Sequence, residues 1–124
     1  MATLMISQLN PADFPVWLES ARAAAPASLP VVLDVREPWE LQTASVKENG
    51  FQLIHIPMRE IQARLAGFQQ AQGTDQPIAC LCHHGMRSNQ VAMYLLKNGF
   101  SQVVNLQGGI DAWSQQVDPS VPAY

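Results

Sequence analysis

Residues 78–88 read IACLCHHGMRS, an apolar run that reaches a cysteine and passes through a glycine-containing turn into a helical pattern. Residues 78–81 predict a short buried strand, and residues 83–86 predict a tight turn. Residues 87–97 predict a helix because their apolar side chains recur on one side, and residues 98–99 (Asn-Gly) would end it. A buried strand that leads directly into a helix is typical of an α/β domain.

Strand and helix patterns alternate along the rest of the chain in both directions from this unit. Asn10 followed by Pro11 marks a helix start, and Gly108-Gly109 separates the last predicted strand from the last helix. The predicted strands are residues 5–9, 31–35, 51–56 and 103–106, and the predicted helices are residues 13–24, 38–46, 58–68 and 110–116, followed by an irregular tail. This order indicates one α/β domain over residues 1–124, with a mostly parallel central sheet of about five strands flanked by helices.

The composition fits a globular protein and indicates no nucleic-acid or membrane partner. The 124 residues are 48% hydrophobic and 14% charged, and the formal net charge is −3. The sequence has no basic run suited to nucleic acid, no apolar stretch long enough to span a bilayer, and no secretory signal pattern near Met1. We expect Cys80 and Cys82 to point to opposite faces of their strand without forming a disulfide, in a reducing, cytoplasmic setting.

Cys82 is the candidate nucleophile, because it lies between the end of a predicted strand and the start of a helix. The N-terminus of that helix carries a partial positive charge, which favours the thiolate. The turn can direct several backbone N–H groups inward as an anion-binding nest, and glycine gives the backbone the freedom for that curl. We therefore predict that the residues after the cysteine bind the substrate, namely His83, His84, Gly85, Met86, Arg87 and Ser88.

Three segments together resemble the rhodanese family of sulfurtransferases. Residues 82–88 (Cys-x-x-Gly-x-Arg-Ser) resemble its active-site loop, residues 33–37 (LDVRE) its first characteristic segment, and residues 104–113 (VNLQGGIDAW) its C-terminal segment. They follow in the family's order and spacing. The resemblance implies a three-layer rhodanese-like domain in which Cys82 accepts sulfane sulfur as a persulfide. Thiosulfate or a persulfide would donate the sulfur, and cyanide, a thiol or a protein acceptor would remove it, without a metal or organic cofactor.

The pocket rim is where the chain departs from the family's pattern. Many members carry Gly-His-Ile-Pro-Gly-Ala after the first segment, whereas residues 53–59 read LIHIPMR and lack the flanking glycines. The change concerns the shape of the rim and therefore the choice of substrate, not the nucleophile. Asp34 and Arg36 are also expected at this rim, either as substrate contacts or as a structural ion pair near the end of their strand.

Several other residues have a structural interpretation beside a functional one. Cys80 lies inside its strand and is expected to be an inert core residue, as free cysteines commonly are. Arg87 would either contact an anion or hold the loop through a buried hydrogen bond. The adjacent pair His83-His84 does not suit a metal ion, because neighbouring side chains do not converge easily on one site. The chain's three tryptophans are expected in the core, namely Trp17, Trp39 and Trp113.

Two other functions share parts of this pattern. Cysteine phosphatases and arsenate reductases also place a cysteine and an arginine in an anion-binding loop, and the rhodanese family itself includes phosphatases of the same fold. Those phosphatases have five residues between the cysteine and the arginine, whereas four residues separate Cys82 from Arg87. The shorter loop favours a single terminal sulfur over a phosphoryl group. The non-catalytic alternative is a rhodanese-like binding module, and the presence of Cys82 argues against it.

Overall fold

The computed structural model describes residues 5–24 and 26–124, and its centre is a parallel β-sheet. The strand order is β1-β5-β4-β2-β3, so that β4 lies at the centre. The carboxyl ends of all these strands lie at one edge of the sheet, and Cys82 follows β4 in the middle of that edge. The five strands are β1 (Ser7–Leu9), β2 (Val31–Asp34), β3 (Gln52–His55), β4 (Ile78–Leu81) and β5 (Val103–Leu106).

Helices connect the strands, and the sequence marks where they begin. The helices in the described part of the chain are α1 (Phe14–Ala24), α2 (Pro38–Thr43), α3 (Ile61–Gln72), α4 (Met86–Lys97) and α5 (Gly109–Gln116), with 3₁₀ turns at Pro11–Asp13 and Met58–Glu60. The Asn10 side chain accepts a hydrogen bond from the Ala12 N–H and so caps the turn that leads into α1. None of these helices is long and apolar enough to cross a bilayer.

The sheet separates two hydrophobic clusters, because alternate residues of a strand point to opposite faces. Leu33 packs in the cluster that contains the buried residues of α3 and α4, whereas Val32 packs with those of α1 and α5. Every residue of β2 and β4 is buried, as parallel strands covered on both faces must be. The end of β4, where Cys82 emerges, is therefore held by packing on both sides.

The predicted α/β fold with a parallel central sheet is confirmed, and β4 and β5 have the predicted bounds. The helix predicted for residues 38–46 ends earlier, because the backbone is extended at Ala44 (φ −156°, ψ 139°). Ala44 and Val46 instead place their side chains in the core. The helix predicted for residues 58–68 begins with a 3₁₀ turn and continues to Gln72, because nothing in its polar last turn interrupts it.

The tryptophans do not share one environment. Trp113 is buried and Trp17 is half-buried against the core, but Trp39 is 61% exposed, so its predicted core position is wrong. The short helix α2 turns Glu40 inward instead, with only 3% of that residue exposed. A buried carboxylate needs a partner, and Arg87 supplies it at 2.7 Å.

Candidate active site

Cys82 is held at the end of β4 with its sulfur beside the start of α4. Only 1% of the residue is exposed. Its Sγ accepts a hydrogen bond from the Gly85 backbone N–H at 3.0 Å, and Ser88 Oγ lies 3.2 Å away. Gly85 adopts a left-handed conformation (φ 103°) immediately before α4, which residues with side chains rarely adopt. The sulfur therefore lies at a helix N-terminus, where the partial positive charge favours an anion.

The start of α5 supports the loop that follows Cys82. The Ile110 N–H donates to the Cys82 carbonyl at 2.8 Å, and the Asp111 N–H donates to the His83 carbonyl at 3.2 Å. A Cβ on Gly109 would collide with both of these carbonyl groups. Glycine at this position allows the first N–H groups of α5, which have no partner inside their own helix, to bind the loop.

Ser88 and Asn105 form a buried polar pair beside the sulfur. Ser88 is 0% exposed and Asn105 is 2% exposed, and Ser88 Oγ lies 2.5 Å from Asn105 Oδ1. Asn105 Nδ2 donates to the Gly85 carbonyl at 3.1 Å and thereby holds the turn. We did not predict Asn105 as a site residue. A polar residue inside the apolar strand at residues 103–106 was the available signal.

Arg87 is paired with Glu40 and does not point free into a binding site. Its two terminal nitrogens donate to Glu40 Oε1 at 2.7 Å and Oε2 at 2.9 Å. The Arg87 guanidinium, together with the Tyr124 hydroxyl, lowers the pKa of Glu40 to about 2. The hydrogen bond with Glu40 in turn raises the pKa of Arg87. Of the two roles considered for Arg87, the geometry favours holding the loop, because the ion pair connects α4 to α2. Sequence reasoning missed Glu40.

Asp34 and Arg36 form a fully buried ion pair, which confirms the structural alternative expected for them, whereas their placement at the pocket rim is wrong. Both side chains are 0% exposed, and Arg36 Nη2 donates to Asp34 Oδ2 at 2.7 Å. Arg36 also donates to the Ala44 carbonyl at 2.9 Å. The extended segment after α2 leaves carbonyl groups that need donors, and the Arg36 guanidinium satisfies them. The pair organises the backbone behind the site.

Tyr124 closes this side of the site, although its segment was predicted only as an irregular tail. Its ring stacks on the His83 ring at 3.9 Å and 3°. Its hydroxyl accepts a hydrogen bond from Arg36 at 2.8 Å and donates one to Glu40 at 2.7 Å. Burial raises the pKa of Tyr124 to about 12, so the hydroxyl keeps the proton that it donates.

The side chains of His84 and Met86 are exposed, whereas that of His83 is partly buried. His84 stacks on the other face of His83 at 3.9 Å, and Met86 is 76% exposed. Among the described residues, the hydrogen bonds to Cys82 Sγ involve only Gly85 and Ser88. In the same part of the chain no three His, Cys, Asp or Glu side chains are close enough to share a metal ion. Of the predicted binding residues, Gly85 and Ser88 contact the sulfur, His84 and Met86 are exposed, and His83 and Arg87 contact other side chains.

A cavity of about 480 Å³ lies beside Arg87. Met58 and Arg59 belong to its wall, and they occupy the positions where the family pattern has glycine and alanine. The departure from that pattern therefore falls on the wall of the cavity. Arg59 also binds Glu37 at 3.2 Å across the rim. The complete lining consists of Val35, Glu37, Met58, Arg59, Gln62 and Arg87.

Cys80 is a buried core residue. It has no exposed surface, and burial raises the pKa of its thiol. It lies in the same core cluster as Cys82, so the expectation of opposite faces is wrong, because residues two apart on a strand share a face. Both cysteines are free thiols.

Comparison with known proteins gives consistent matches. A family model described as rhodanese-like domain matches residues 15–116. Thiosulfate sulfurtransferase GlpE of Pseudoalteromonas translucida is 38% identical over 85 residues, which cover 67% of this chain and 71% of GlpE. The chloroplastic rhodanese-like/PpiC domain-containing protein 12 of Arabidopsis thaliana is 36% identical over 110 residues, which cover 89% of this chain and 32% of that protein. The chain thus spans about a third of that longer relative.

A solved structure extends the comparison to three dimensions. The rhodanese-related protein of Thermoplasma volcanium matches with a TM-score of 0.69 and 29% identity, covering 95% of this chain and 99% of that chain. This likeness agrees with the parallel sheet and flanking helices described above. Since the family model covers most of the sequence, the chain belongs to the rhodanese-like domain family.

Proposed function

We propose that this protein is a rhodanese-type sulfurtransferase that carries sulfane sulfur as a persulfide on Cys82. The observation that carries the proposal is the surroundings of the sulfur. The Gly85 N–H at 3.0 Å and the Ser88 hydroxyl at 3.2 Å face Sγ at the start of α4. Groups of this kind stabilise negative charge on sulfur before and after transfer.

The reaction has two half-reactions. The Cys82 thiolate attacks the outer sulfur of thiosulfate, a new S–S bond forms, the donor's S–S bond breaks, and sulfite leaves with the electron pair. Cyanide or a thiolate then attacks the outer sulfur of the persulfide, the S–S bond breaks, and Cys82 returns as a thiolate. A persulfide donor reacts in the same way with a thiolate as the leaving group. Each step is an ordinary exchange at sulfur and requires no metal or organic cofactor.

The Arg87–Glu40 pair supports sulfur transfer over phosphate ester hydrolysis. A phosphatase uses its loop arginine to bind phosphoryl oxygens, but both terminal nitrogens of Arg87 bind Glu40. Glu40 is ionised at neutral pH because Arg87 lowers its pKa to about 2. A phosphate group at Arg87 would therefore meet a carboxylate. The four-residue spacing between Cys82 and Arg87 points in the same direction.

The wall of the cavity beside Arg87 carries both charges, because Arg59 is paired there with Glu37 at 3.2 Å. Arg59 contributes a guanidinium to its wall, and that side chain is 63% exposed. We place the reaction in a reducing compartment such as the cytoplasm, where both thiols stay reduced.

Parallel assays on the wild type, Cys82→Ser and Cys80→Ser test the proposal. We expect thiocyanate from thiosulfate and cyanide with the wild type and Cys80→Ser, and none with Cys82→Ser. Circular dichroism melts show whether Cys82→Ser is folded, and glutathione persulfide serves as a second donor. Negligible hydrolysis of p-nitrophenyl phosphate is expected throughout. Phosphatase activity that depends on Cys82, without sulfur transfer from either donor, would overturn the proposal.

A further inference from the structure

Asn105 is connected to the Cys82 sulfur through the Ser88 hydroxyl. The Asn105 side-chain amide can take only one orientation. Its Nδ2 donates to the Gly85 carbonyl at 3.1 Å and to Gln8 Oε1 at 2.9 Å. A backbone carbonyl can only accept hydrogen bonds, so the NH₂ group must face it. Oδ1 consequently faces Ser88 Oγ at 2.5 Å. The side chain of Asn105 therefore presents an acceptor to Ser88.

Ser88 has one hydroxyl proton and two neighbours that can accept it. Asn105 Oδ1 carries no proton and lies 2.5 Å away, whereas Cys82 Sγ lies at 3.2 Å. The close oxygen–oxygen contact requires a proton between the two atoms. We propose that Asn105 is a positioning residue for sulfur transfer, which competes with Cys82 for the Ser88 proton and makes that hydroxyl respond to the chemical state of the sulfur.

The atom that accepts the Ser88 proton depends on whether Cys82 is a thiol, a persulfide or a thiolate. A thiol donates its S–H to Ser88 Oγ while Ser88 donates to Asn105, so every group has a partner. A persulfide has an uncharged, two-coordinate Sγ, so Ser88 again donates to Asn105. A thiolate attracts the hydroxyl proton, because hydrogen bonds to charged groups are the stronger ones, and leaves Asn105 Oδ1 buried without a donor. Asn105 thus disfavours the free thiolate relative to the other two states.

The consequence for the reaction is retention of the bound sulfur. When an acceptor thiolate bonds to the outer sulfur, the S–S bond breaks and its electron pair stays on Cys82 Sγ. The Ser88 proton then turns from Asn105 to Sγ. Until an acceptor arrives, the Ser88–Asn105 hydrogen bond stabilises the persulfide relative to the free Cys82 thiolate.

Alkylation of Cys82 by iodoacetamide across a range of pH tests the inference, because the thiolate is the species that reacts. The proteins are the parent, Asn105→Leu, Ser88→Ala and the double variant, all carrying Cys80→Ser so that Cys82 is the only thiol. In Asn105→Leu the Ser88 proton is free to bind the thiolate, and the rate profile should shift to lower pH by an amount that corresponds to about tenfold more thiolate. The same replacement should change nothing when Ser88 is absent.

Two results would overturn the inference. One is an unchanged profile in Asn105→Leu, and the other is an equal shift with and without Ser88, because Asn105 would then act through structure alone. If Asn105→Leu does not fold, Asn105→Ala with and without Ser88→Ala makes the same comparison, because alanine also removes the acceptor that faces Ser88. The inference rests on the proposed role of Cys82, but alkylation needs no sulfur transfer, so the two can fail separately.

Discussion

Replacing Glu40 by glutamine tests whether the buried ion pair with Arg87 holds the active-site loop. Glu40 is 3% exposed, and the hydrogen bonds from Arg87 and Tyr124 lower its pKa from 4.5 to about 2. At about 1.36 kcal/mol per unit this shift corresponds to roughly 3 kcal/mol. The Arg87 side chain is 36% exposed, so solvent screens part of the interaction. We expect Glu40→Gln to lower the free energy of unfolding by about 2 kcal/mol at pH 7.

The stabilisation by the Glu40–Arg87 ion pair must decrease as the pH falls. Since the pKa of Glu40 is lower in the folded protein, its stabilisation is present above about pH 4.5 and is lost as the pH falls towards 2. Urea unfolding should therefore show a gap between wild type and Glu40→Gln that falls to less than half its neutral value at about pH 3. Glu19→Gln, at an exposed position of α1, is the control and should stay within about 0.5 kcal/mol of the wild type. A gap that is absent at neutral pH, or equal at both, would refute this reasoning.

Three further substitutions and one control test other parts of the structure. Cys80→Ser should keep sulfur transfer and cost about 1–3 kcal/mol in urea unfolding, because a buried hydroxyl replaces a thiol. Gly109→Ala should lower both stability and sulfur transfer, because its Cβ meets the loop carbonyls, whereas Gly67→Ala in α3 has open space and should stabilise by about 0.5–1 kcal/mol. Tyr124→Phe should keep the stacked ring but lower the free energy of unfolding by about 1–2 kcal/mol through the lost hydroxyl contacts. Equal effects in the two glycine variants, or none in Tyr124→Phe, would contradict the contacts described.

The parts of the fold and site that depend on local pattern could be predicted from the sequence. The apolar runs at residues 78–81 and 103–106 are bounded by turns, so β4 and β5 have the predicted bounds. The contact of the sulfur with Gly85 and Ser88 also follows from short spacing, because a strand, a turn and a helix start bring these residues together.

The parts that depend on distant contacts could not be predicted. Glu40 meets Arg87 across 47 positions and Tyr124 across 84 positions of sequence, and no periodicity reports such a pairing. The same contacts explain the misplaced Trp39, because α2 buries its glutamate and leaves the tryptophan exposed. The Asp34–Arg36 ion pair was one expected alternative because the two residues lie two positions apart, whereas its full burial depends on packing that no local pattern reports.

The central claim is that Cys82 carries the transferred sulfur, and intact-mass spectrometry after incubation with thiosulfate or glutathione persulfide tests it most directly. The account predicts the mass of one added sulfur atom in the wild type and in Cys80→Ser, removed by cyanide or by a thiol, and no addition in folded Cys82→Ser. A labile sulfur that appears on Cys82→Ser, or no uptake by the wild type from either donor, would contradict it.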